Sequence, residues 1–327
     1  MRCLVTGGNG FVGSHLVEAL VERGDEVVCL ARRTSDLRWV DESRVTVTHG
    51  DVTDLASLVR AVEGAEVVFH LAGMLRGRDY AAYYRVNAEG ARNVAVACRD
   101  ADGAPPRLVH CSSQAAGGPS VDGRRRQEGE PPAPVSDYGR SKLEGERAVV
   151  DAARGDVPFV IVRPPAVYGP RDTDICMYFR LISRGIALFV GDGRQKFDLV
   201  YVTDLVTAFL LVADNPAALG SVYYVNDGDE HTWRSMSAAV ASAVGTRPLR
   251  VPIPMPLMSA VARVVECVAA VRETAPVLHR QKIAEFRQPA WKCDASRIRG
   301  ELGFEPAFNV ERGMRETARW YREQGWI

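Results

Sequence analysis

Thr6-Gly7-Gly8-Asn9-Gly10-Phe11-Val12-Gly13 follows directly on the apolar run Cys3-Leu4-Val5. Read as Gly8-x-Gly10-x-x-Gly13, or as Gly7-x-x-Gly10-x-x-Gly13, the stretch is a strand end, a glycine turn and a helix start. The early glycines permit a tight turn and a close approach of pyrophosphate to the backbone, and Gly13 lets the helix pack closely on the strand. The helix expected over about 12–23 points its N-terminus at the phosphates, and Gly24-Asp25 stops it. An apolar strand before and an amphipathic helix after are the context that separates a nucleotide cradle from an ordinary glycine turn.

Outward from the cradle, short β-rich runs at 27–30, 45–47, 67–71, 108–111 and 159–162 alternate with helical patterns near 16–23, 55–62, 83–99 and 138–153. The runs are largely non-alternating, as strands covered on both faces are. The fold class expected is α/β, a doubly wound parallel sheet of the Rossmann type, with a smaller C-terminal substrate lobe. Pro164-Pro165 ends the regular alternation, and 197–202 and 222–225 can return to the sheet. The division expected is 1–165 with 196–228 for the dinucleotide-binding domain and 166–195 with 229–327 for the lobe. The loop 117–134, rich in Gly, Pro and charge, is long enough to be a mobile flap. Segment 251–271 is apolar but carries Arg263 and Glu266, too short and too charged to span a bilayer. A core helix is preferred there over a lid or an interfacial helix, with 251–256 extended because of its prolines.

A second motif needs the first. Tyr138-Gly139-Arg140-Ser141-Lys142 places Tyr138 and Lys142 four residues apart, on one helix face. A free Tyr has a pKa of about 10, and a neighbouring ammonium favours the phenolate. Lys142 can also donate to a nicotinamide ribose. Ser113 lies just past the run 108–111, at the carboxyl edge where ligands bind in such sheets. Its hydroxyl, or that of Ser112, can hold a substrate oxygen while Tyr138 moves the proton. Together the motifs imply a bound nicotinamide nucleotide and chemistry at a carbon bearing oxygen.

The strand after the first helix ends in Ala31-Arg32-Arg33-Thr34-Ser35. An NAD-selective site usually places Asp or Glu there to accept from the ribose 2′-hydroxyl, which Ala31 cannot do. Arg32 and Arg33 can pair with a 2′-phosphate through their forked donors, favouring NADP over NAD. Asp51 can accept from the adenine amino group or simply close a turn with Gly50.

Lys+Arg and Asp+Glu number 41 each, so the net charge is zero and nothing points to nucleic acid or an anionic surface. Arg124-Arg125-Arg126 is answered by Glu128 and Glu130, as in a solvated loop. The seven cysteines are scattered, with no CxxC, so neither a metal nor a disulfide framework is expected. The first strand begins at Met1, leaving no room for a signal peptide, so a cytoplasmic location is expected.

These elements together resemble the extended short-chain dehydrogenase/reductase family across essentially the whole chain. The matching residues are Thr6-Gly7-x-x-Gly10-x-x-Gly13, Gly50-Asp51-Val52-Thr53-Asp54, His70-Leu71-Ala72-Gly73, Val86-Asn87-x-x-Gly90-x-x-Asn93, Ser112-Ser113, Tyr138-x-x-x-Lys142 and Arg163-Pro164-Pro165-Ala166-Val167-Tyr168-Gly169-Pro170. The resemblance implies catalytic Ser113, Tyr138 and Lys142, supported by Asn87. It implies cofactor contacts from Gly7, Gly10, Phe11, Val12, Gly13, Val52, Leu71, Ala72, Gly73, Pro164 and Val167, and homodimerisation through helices like 83–99 and 138–153. The Arg-x-Gly-Asp element typical of sugar-nucleotide epimerases and dehydratases is replaced here by Arg287-Gln288-Pro289-Ala290-Trp291-Lys292-Cys293-Asp294. The C-terminal stretches look more like the 3β-hydroxysteroid dehydrogenase-like and dihydroflavonol reductase-like branches, which handle hydrophobic alcohols and ketones. Gly191-Asp192-Gly193 and Asp198-Leu199-Val200-Tyr201-Val202-Thr203-Asp204 instead resemble the sugar-nucleotide pattern. The expectation is an NADP-dependent alcohol–ketone oxidoreductase acting on a small hydrophobic molecule. An epimerase/dehydratase with tightly held NAD, or a non-catalytic NADP sensor, are the alternatives.

Overall fold

The computed structural model describes residues 1–271 and 280–327. Its centre is a parallel sheet of seven strands: β1 (Arg2–Thr6), β2 (Glu26–Ala31), β3 (Thr46–His49), β4 (Val67–His70), β5 (Arg107–Cys111), β6 (Phe159–Arg163) and, after four short strands elsewhere, β11 (Val222–Tyr224). The order is β3-β2-β1-β4-β5-β6-β11. The order reverses between β1 and β4, so the carboxyl ends of these neighbours flank the crevice where such sheets bind ligands.

Helices cover both faces. On one, α1 (Phe11–Glu22) and α8 (Val202–Asp214) bury Leu16, Leu20, Leu205 and Phe209 against β-strand valines. On the other, α2 (Leu55–Val62), α4 (Gly90–Arg99) and α6 (Asp137–Ala153) bury Leu58, Val94 and Val149. Each such side chain contributes about 1.5–3 kcal/mol when fully buried. Local signals set the ends. Asp54 caps α2 by accepting from Ala56 N at 3.1 Å, Ser136 caps α6 by accepting from Gly139 N at 3.1 Å, and Gly24 (φ 86°) turns the chain out of α1.

The stretch read as one helix over 83–99 is interrupted. Its first part, α3 (Tyr80–Tyr84), passes into a π-turn at Arg85–Glu89 before α4 begins. The bulge turns Asn87 toward α6, where a Cβ on Gly145 would stand 2.3 Å from Asn87 O. Such bulges recur at functional sites.

The second half makes its own core. The elements of this half beside α8 and β11 are β7 (Ala166–Tyr168), α7 (Thr173–Ser183), β8 (Ile186–Val190), β9 (Lys196–Phe197), β10 (Leu199–Tyr201), β12 (His231–Thr232), α9 (Trp233–Val244), β13 (Leu249–Ile253), α10 (Met255–Val271), α11 (Arg280–Phe286), β14 (Ala290–Trp291), α12 (Ser296–Leu302) and α13 (Val310–Glu323). Tyr168, Phe179, Phe189, Tyr201, Val240, Met314 and Tyr321 are packed together. Of the two segments expected to return to the sheet, 222–224 does so, as the edge strand beside β6. The stretch 197–202 does not. Lys196–Phe197 pairs with β12 and β14, Leu199–Tyr201 pairs with β7, and the chain then enters α8. Three short ladders replace one long strand because Asp198, between them, is buried accepting from Cys293 N at 2.8 Å. α12 packs Ile298 and Leu302 into the first core, beneath the sheet.

Segment 117–134, expected as a mobile flap, is strapped down. Arg126 N donates to Lys292 O at 3.0 Å, Asp294 N returns to Arg126 O at 2.9 Å, and the Arg126 side chain is buried among the carbonyls of Pro119 and Pro131. The arginines read as a solvated run include two that do this fastening, since Arg125 Nη1 also donates to Asp198 at 2.7 Å. The apolar 251–271 is extended only to Ile253; Pro256 sits in the first turn of α10, where its missing N–H costs nothing. Among the described residues, no helix is long and apolar enough to cross a membrane.

Candidate active site

One cavity of about 1370 Å³ runs from the glycine turn to the second core. At its cradle end, Gly7 has φ 72°, and a Cβ there would lie 2.6 Å from Ala72 N. A Cβ on Gly13 would lie 2.1 Å from Gly7 O. Only glycine fits either position. The N-cap of α1 is Gly10, whose missing side chain leaves the first amides of the helix uncapped, and no acid occupies the first turn. A cradle that a side chain would fill, floored by free N–H donors, suits a pyrophosphate. Thr6 Oγ1 ties β1 to the opposite rim, accepting from Ala72 N at 3.2 Å.

Phe11, Val12, Val52, Leu71, Gly73, Pro164 and Val167 line the same cavity, as do Gly7, Gly10, Gly13, Ala72 and Asp51. Asp51 holds an Asx turn, accepting from Thr53 N at 2.9 Å. Arg32 lies on the cavity rim; Arg33 is exposed and is not among the lining residues. Asn87 is not a wall residue either. It is buried behind the wall, donating to Ser141 Oγ at 2.9 Å and to Met74 O at 3.0 Å and accepting from Met74 N at 2.7 Å. It holds α6 and the loop after β4 in one register.

Ser113, Tyr138 and Lys142 converge on the cavity. The two serines point to different partners. Ser112 is buried and donates to Glu146, which is held by two bonds from Arg163, 2.8 and 2.6 Å. Ser113 is only half-buried, accepts from Ala115 N at 3.1 Å and lines the cavity together with the Tyr138 phenol. Both serines line the cavity, but the Ser112 hydroxyl is taken by Glu146, whereas that of Ser113, the serine the family resemblance favours, is not. Burial pushes the Tyr138 phenol up, and the nearby Ser113 hydroxyl pulls it partly back. Lys142 is buried, donates to Cys111 O at 2.7 Å, and is pushed down by burial. Its ammonium is committed to that carbonyl rather than to the phenol.

Beyond Tyr138 the cavity becomes aromatic. Phe197 and Phe286 stand 5.1 and 6.1 Å from the Trp233 ring, and Tyr178 also 6.1 Å. Gln195 organises this end. It accepts from Trp233 Nε1 at 3.2 Å and donates to Phe286 O at 3.1 Å and Gln288 O at 2.6 Å. Met177, Leu181, Met236 and Trp291 complete the apolar lining.

A family model described as the NAD dependent epimerase/dehydratase family matches residues 3–226. The chain belongs to that family. Across 324 residues it is 32% identical to the ceramide reductase of Caulobacter vibrioides, covering 99% of this chain and 95% of the relative. It is 31% identical over 249 residues to the decarboxylating sterol-4-alpha-carboxylate 3-dehydrogenase of Mus musculus, covering 72% and 67%. Among solved structures, the UDP-glucose 4-epimerase of Thermus thermophilus, in complex with NAD, superposes with a TM-score of 0.80 at 27% identity, covering 98% and 99%. The relatives include reductases, dehydrogenases and epimerases, and the protein is an enzyme of the extended short-chain dehydrogenase/reductase superfamily.

The epimerase/dehydratase match stops at 226, where the chamber is still incomplete. Trp233, Lys282, Glu285 and Phe286 lie beyond it, and Tyr178 and Phe197 were not singled out by sequence reading as cavity residues. They come from separate elements, so no local spacing links them. The aromatic pairing of Phe197 and Trp233 becomes visible only through the β9–β12 ladder. Among the described residues no cluster of His, Cys, Asp and Glu could hold a metal, and all seven cysteines are free thiols.

Proposed function

We propose that the enzyme is an NAD(P)-dependent oxidoreductase that interconverts a secondary alcohol and a ketone on a fairly hydrophobic small molecule. The observation that carries this reading is one continuous cavity with a glycine cradle at one end, Ser113 and Tyr138 in the middle and an aromatic chamber at the other. When bound, a nicotinamide nucleotide supplies or accepts the hydride. The chain's own residues manage the oxygen. Ser113 Oγ positions it, and Tyr138 Oη gives its proton to the developing alkoxide in reduction or takes it in oxidation. Burial keeps the phenol protonated, the form reduction requires. Lys142 anchors the helix turn beneath Tyr138 and has further donors for a ribose.

Arg32 on the rim favours NADP, through a guanidinium placed for a 2′-phosphate. Homodimerisation through the helices at 80–99 and 137–153 is part of the same reading. Epimerisation of a sugar nucleotide is the weaker alternative. Among the described lining residues contributed after Val167, the one cation is Lys282, and it is paired with Glu285 at 2.8 Å, leaving little there to hold a diphosphate. The names of the ceramide reductase and sterol dehydrogenase relatives support a lipophilic substrate instead.

Tyr138→Phe tests the reading. Nucleotide affinity, measured by calorimetry, should be unchanged, while NADPH consumption with lipophilic ketones should fall roughly 10²–10⁴-fold. Copurified NAD without net cofactor turnover would move the assignment to an epimerase. A wild-type protein that binds nucleotide yet turns over no carbonyl would make it a sensor.

A further inference from the structure

We propose that Gln281 is a positioning residue for Tyr138, and that α11 acts through it as a strut between the aromatic chamber and the catalytic helix. Gln281 sits in the first turn of α11, and its carboxamide grips Asp137, the residue before Tyr138, twice. Gln281 Oε1 accepts from Asp137 N at 2.6 Å, and Gln281 Nε2 donates to the Asp137 carboxylate. Asp137 opens α6. Its N–H is one of the amides that a helix start leaves without an internal partner, so the first bond completes the helix end as a cap would. The second bond holds a carboxylate that the same helix end already favours. A grip on main chain and side chain together fixes both the place and the rotation of this turn.

Other contacts hold the start of α6 to the nucleotide half. Gly139 is packed so closely that a Cβ would lie 2.5 Å from Ala115 O, and one turn on Lys142 Nζ donates to Cys111 O. Gln281 holds it from the substrate half, across 144 residues of sequence. Gln281 and Glu285 stand four residues apart, on one face of α11. Glu285 lines the cavity. Burial pushes the Tyr138 phenol up and the Glu285 charge adds to the push, so this face of α11 lies within electrostatic reach of the hydroxyl.

The far end of α11 belongs to the chamber. Trp291 Nε1 donates to Glu285 O at 3.0 Å. Gln195 Nε2 donates to Phe286 O at 3.1 Å, while its oxygen accepts from Trp233 Nε1. The Phe286 ring stands 6.1 Å from that of Trp233. The seven residues of α11, at about 1.5 Å each, make a rod of roughly 10 Å tied at both ends. Resting on the alcohol–ketone chemistry proposed above, a substrate chain that fills the chamber seats Phe286 and, through the rod and the carboxamide, seats Tyr138. A short substrate that leaves the chamber empty gains nothing from the strut. A tie that merely fastened a surface helix would support the fold without distinguishing the two.

Gln281→Met keeps the length and helix propensity of the side chain and loses both bonds. The probes are NADPH with 2-dodecanone, long enough to enter the chamber, and NADPH with cyclohexanone, which is not. Wild type should show the higher kcat with 2-dodecanone. Gln281→Met should lower that kcat about tenfold and the cyclohexanone kcat little, while KM, NADPH affinity and Tm stay near wild type. Asp137→Ala should reproduce the loss, and combining it with Gln281→Met should add nothing. Asp137→Asn, which keeps an acceptor for Gln281, should lose less than Asp137→Ala. An unchanged kcat in Gln281→Met, an equal loss with both ketones, or losses that multiply in the double variant would overturn the proposal. Hydrogen exchange gives a readout without turnover: in the NADP complex, 2-dodecanone should slow exchange of the amides at 137–142 in wild type and not in Gln281→Met. An equal response in both would also overturn it. Wild-type protein that reduces neither ketone removes the reaction proposed above, and the exchange measurement still decides the strut.

Discussion

The cradle and the aromatic chamber sit at two ends of one cavity and are built on opposite principles. The cradle is made of backbone: Gly7, Gly10 and Gly13 act by lacking a side chain, and their spacing is fixed by a strand passing into a helix. The chamber is made of side chains from α7, β9, α9, α11 and β14, brought together by Gln195 and by short ladders. A site made of backbone can be recognised in one sequence window. A site made of converging side chains has no window, and it is also the site that can change its ligand without changing its fold.

The largest effect should come from breaking the lock that joins the cradle half to the catalytic helix. Glu146, one turn beyond Lys142, receives two bonds from Arg163 and one from Ser112, and Arg163 reaches Tyr224 at 3.2 Å. Both charges are nearly inaccessible. Glu146→Ala leaves the Arg163 cation buried without its counter-charge, a loss of about 3–5 kcal/mol in denaturant unfolding. Glu146→Gln retains hydrogen-bonding groups for Ser112 and Arg163 and should lose less. A loss below about 1 kcal/mol for Glu146→Ala would mean that the sheet edge is held by packing alone.

The two ends should also respond to acid in opposite directions. Asp172, the N-cap of α7 and a wall residue near the chamber, is buried, which pushes its carboxyl from 3.8 up to about 6. Between those values the folded chain keeps a proton that the unfolded chain has released, so stability falls as pH rises through the window. Above pH 6 the cost is about 3 kcal/mol at most. Asp172→Asn keeps an acceptor for the Asp174 and Ile175 amides without the charge. It should raise Tm above pH 6 and converge with wild type by about pH 4. Under the cradle, His70 stacks on His110 at 5.2 Å, and burial drives His70 from 6.5 down to about 3 and His110 well below its usual range. Here the unfolded chain takes up protons that the folded chain refuses, so stability is lost as pH falls from 6.5 toward 3. Among the described residues neither ring nitrogen of His110 has a partner, so His110→Leu should flatten that acid limb by about one proton and cost little at neutral pH. Parallel acid limbs for the two variants would break the contrast.

What was legible followed the same division. The strand–turn–helix frame, the α2 boundaries and the Tyr138–Lys142 pair could be read because each is a local pattern of backbone freedom or helical spacing. The π-turn at Asn87 was not, since nothing in Val86-Asn87-Ala88 distinguishes a bulge from a regular turn until α6 presses against it. The strap at 117–134 reads as a flap because its composition is that of a loop. Its order comes from bonds to Lys292 and Asp294, far along the chain. Resemblance favours Ser113 over Ser112 without a physical reason, and Glu146 supplies one by occupying the Ser112 hydroxyl.

The smallest effect, at Arg32, sharpens the comparison because it asks a backbone-built site to discriminate by a side chain. Two adjacent arginines follow β2, and sequence alone weighs them equally. In the fold Arg32 reaches the cavity rim, held there by a turn in which its N–H donates to Ser35 Oγ at 3.1 Å, while Arg33 is exposed and is not a lining residue. Both are solvated, so a bond from either to a 2′-phosphate is screened. Arg32→Ala should therefore weaken NADPH binding only about tenfold, leave NADH binding unaltered, and reduce the salt dependence of NADPH affinity. Arg33→Ala should change neither. If both variants bind the two nucleotides as wild type does, the 2′-phosphate is not read here, and the preference reverts to NAD. If Arg33→Ala carries the loss instead, the rim closes around the nucleotide further than the cavity now does, and the cradle end is the more adaptable of the two.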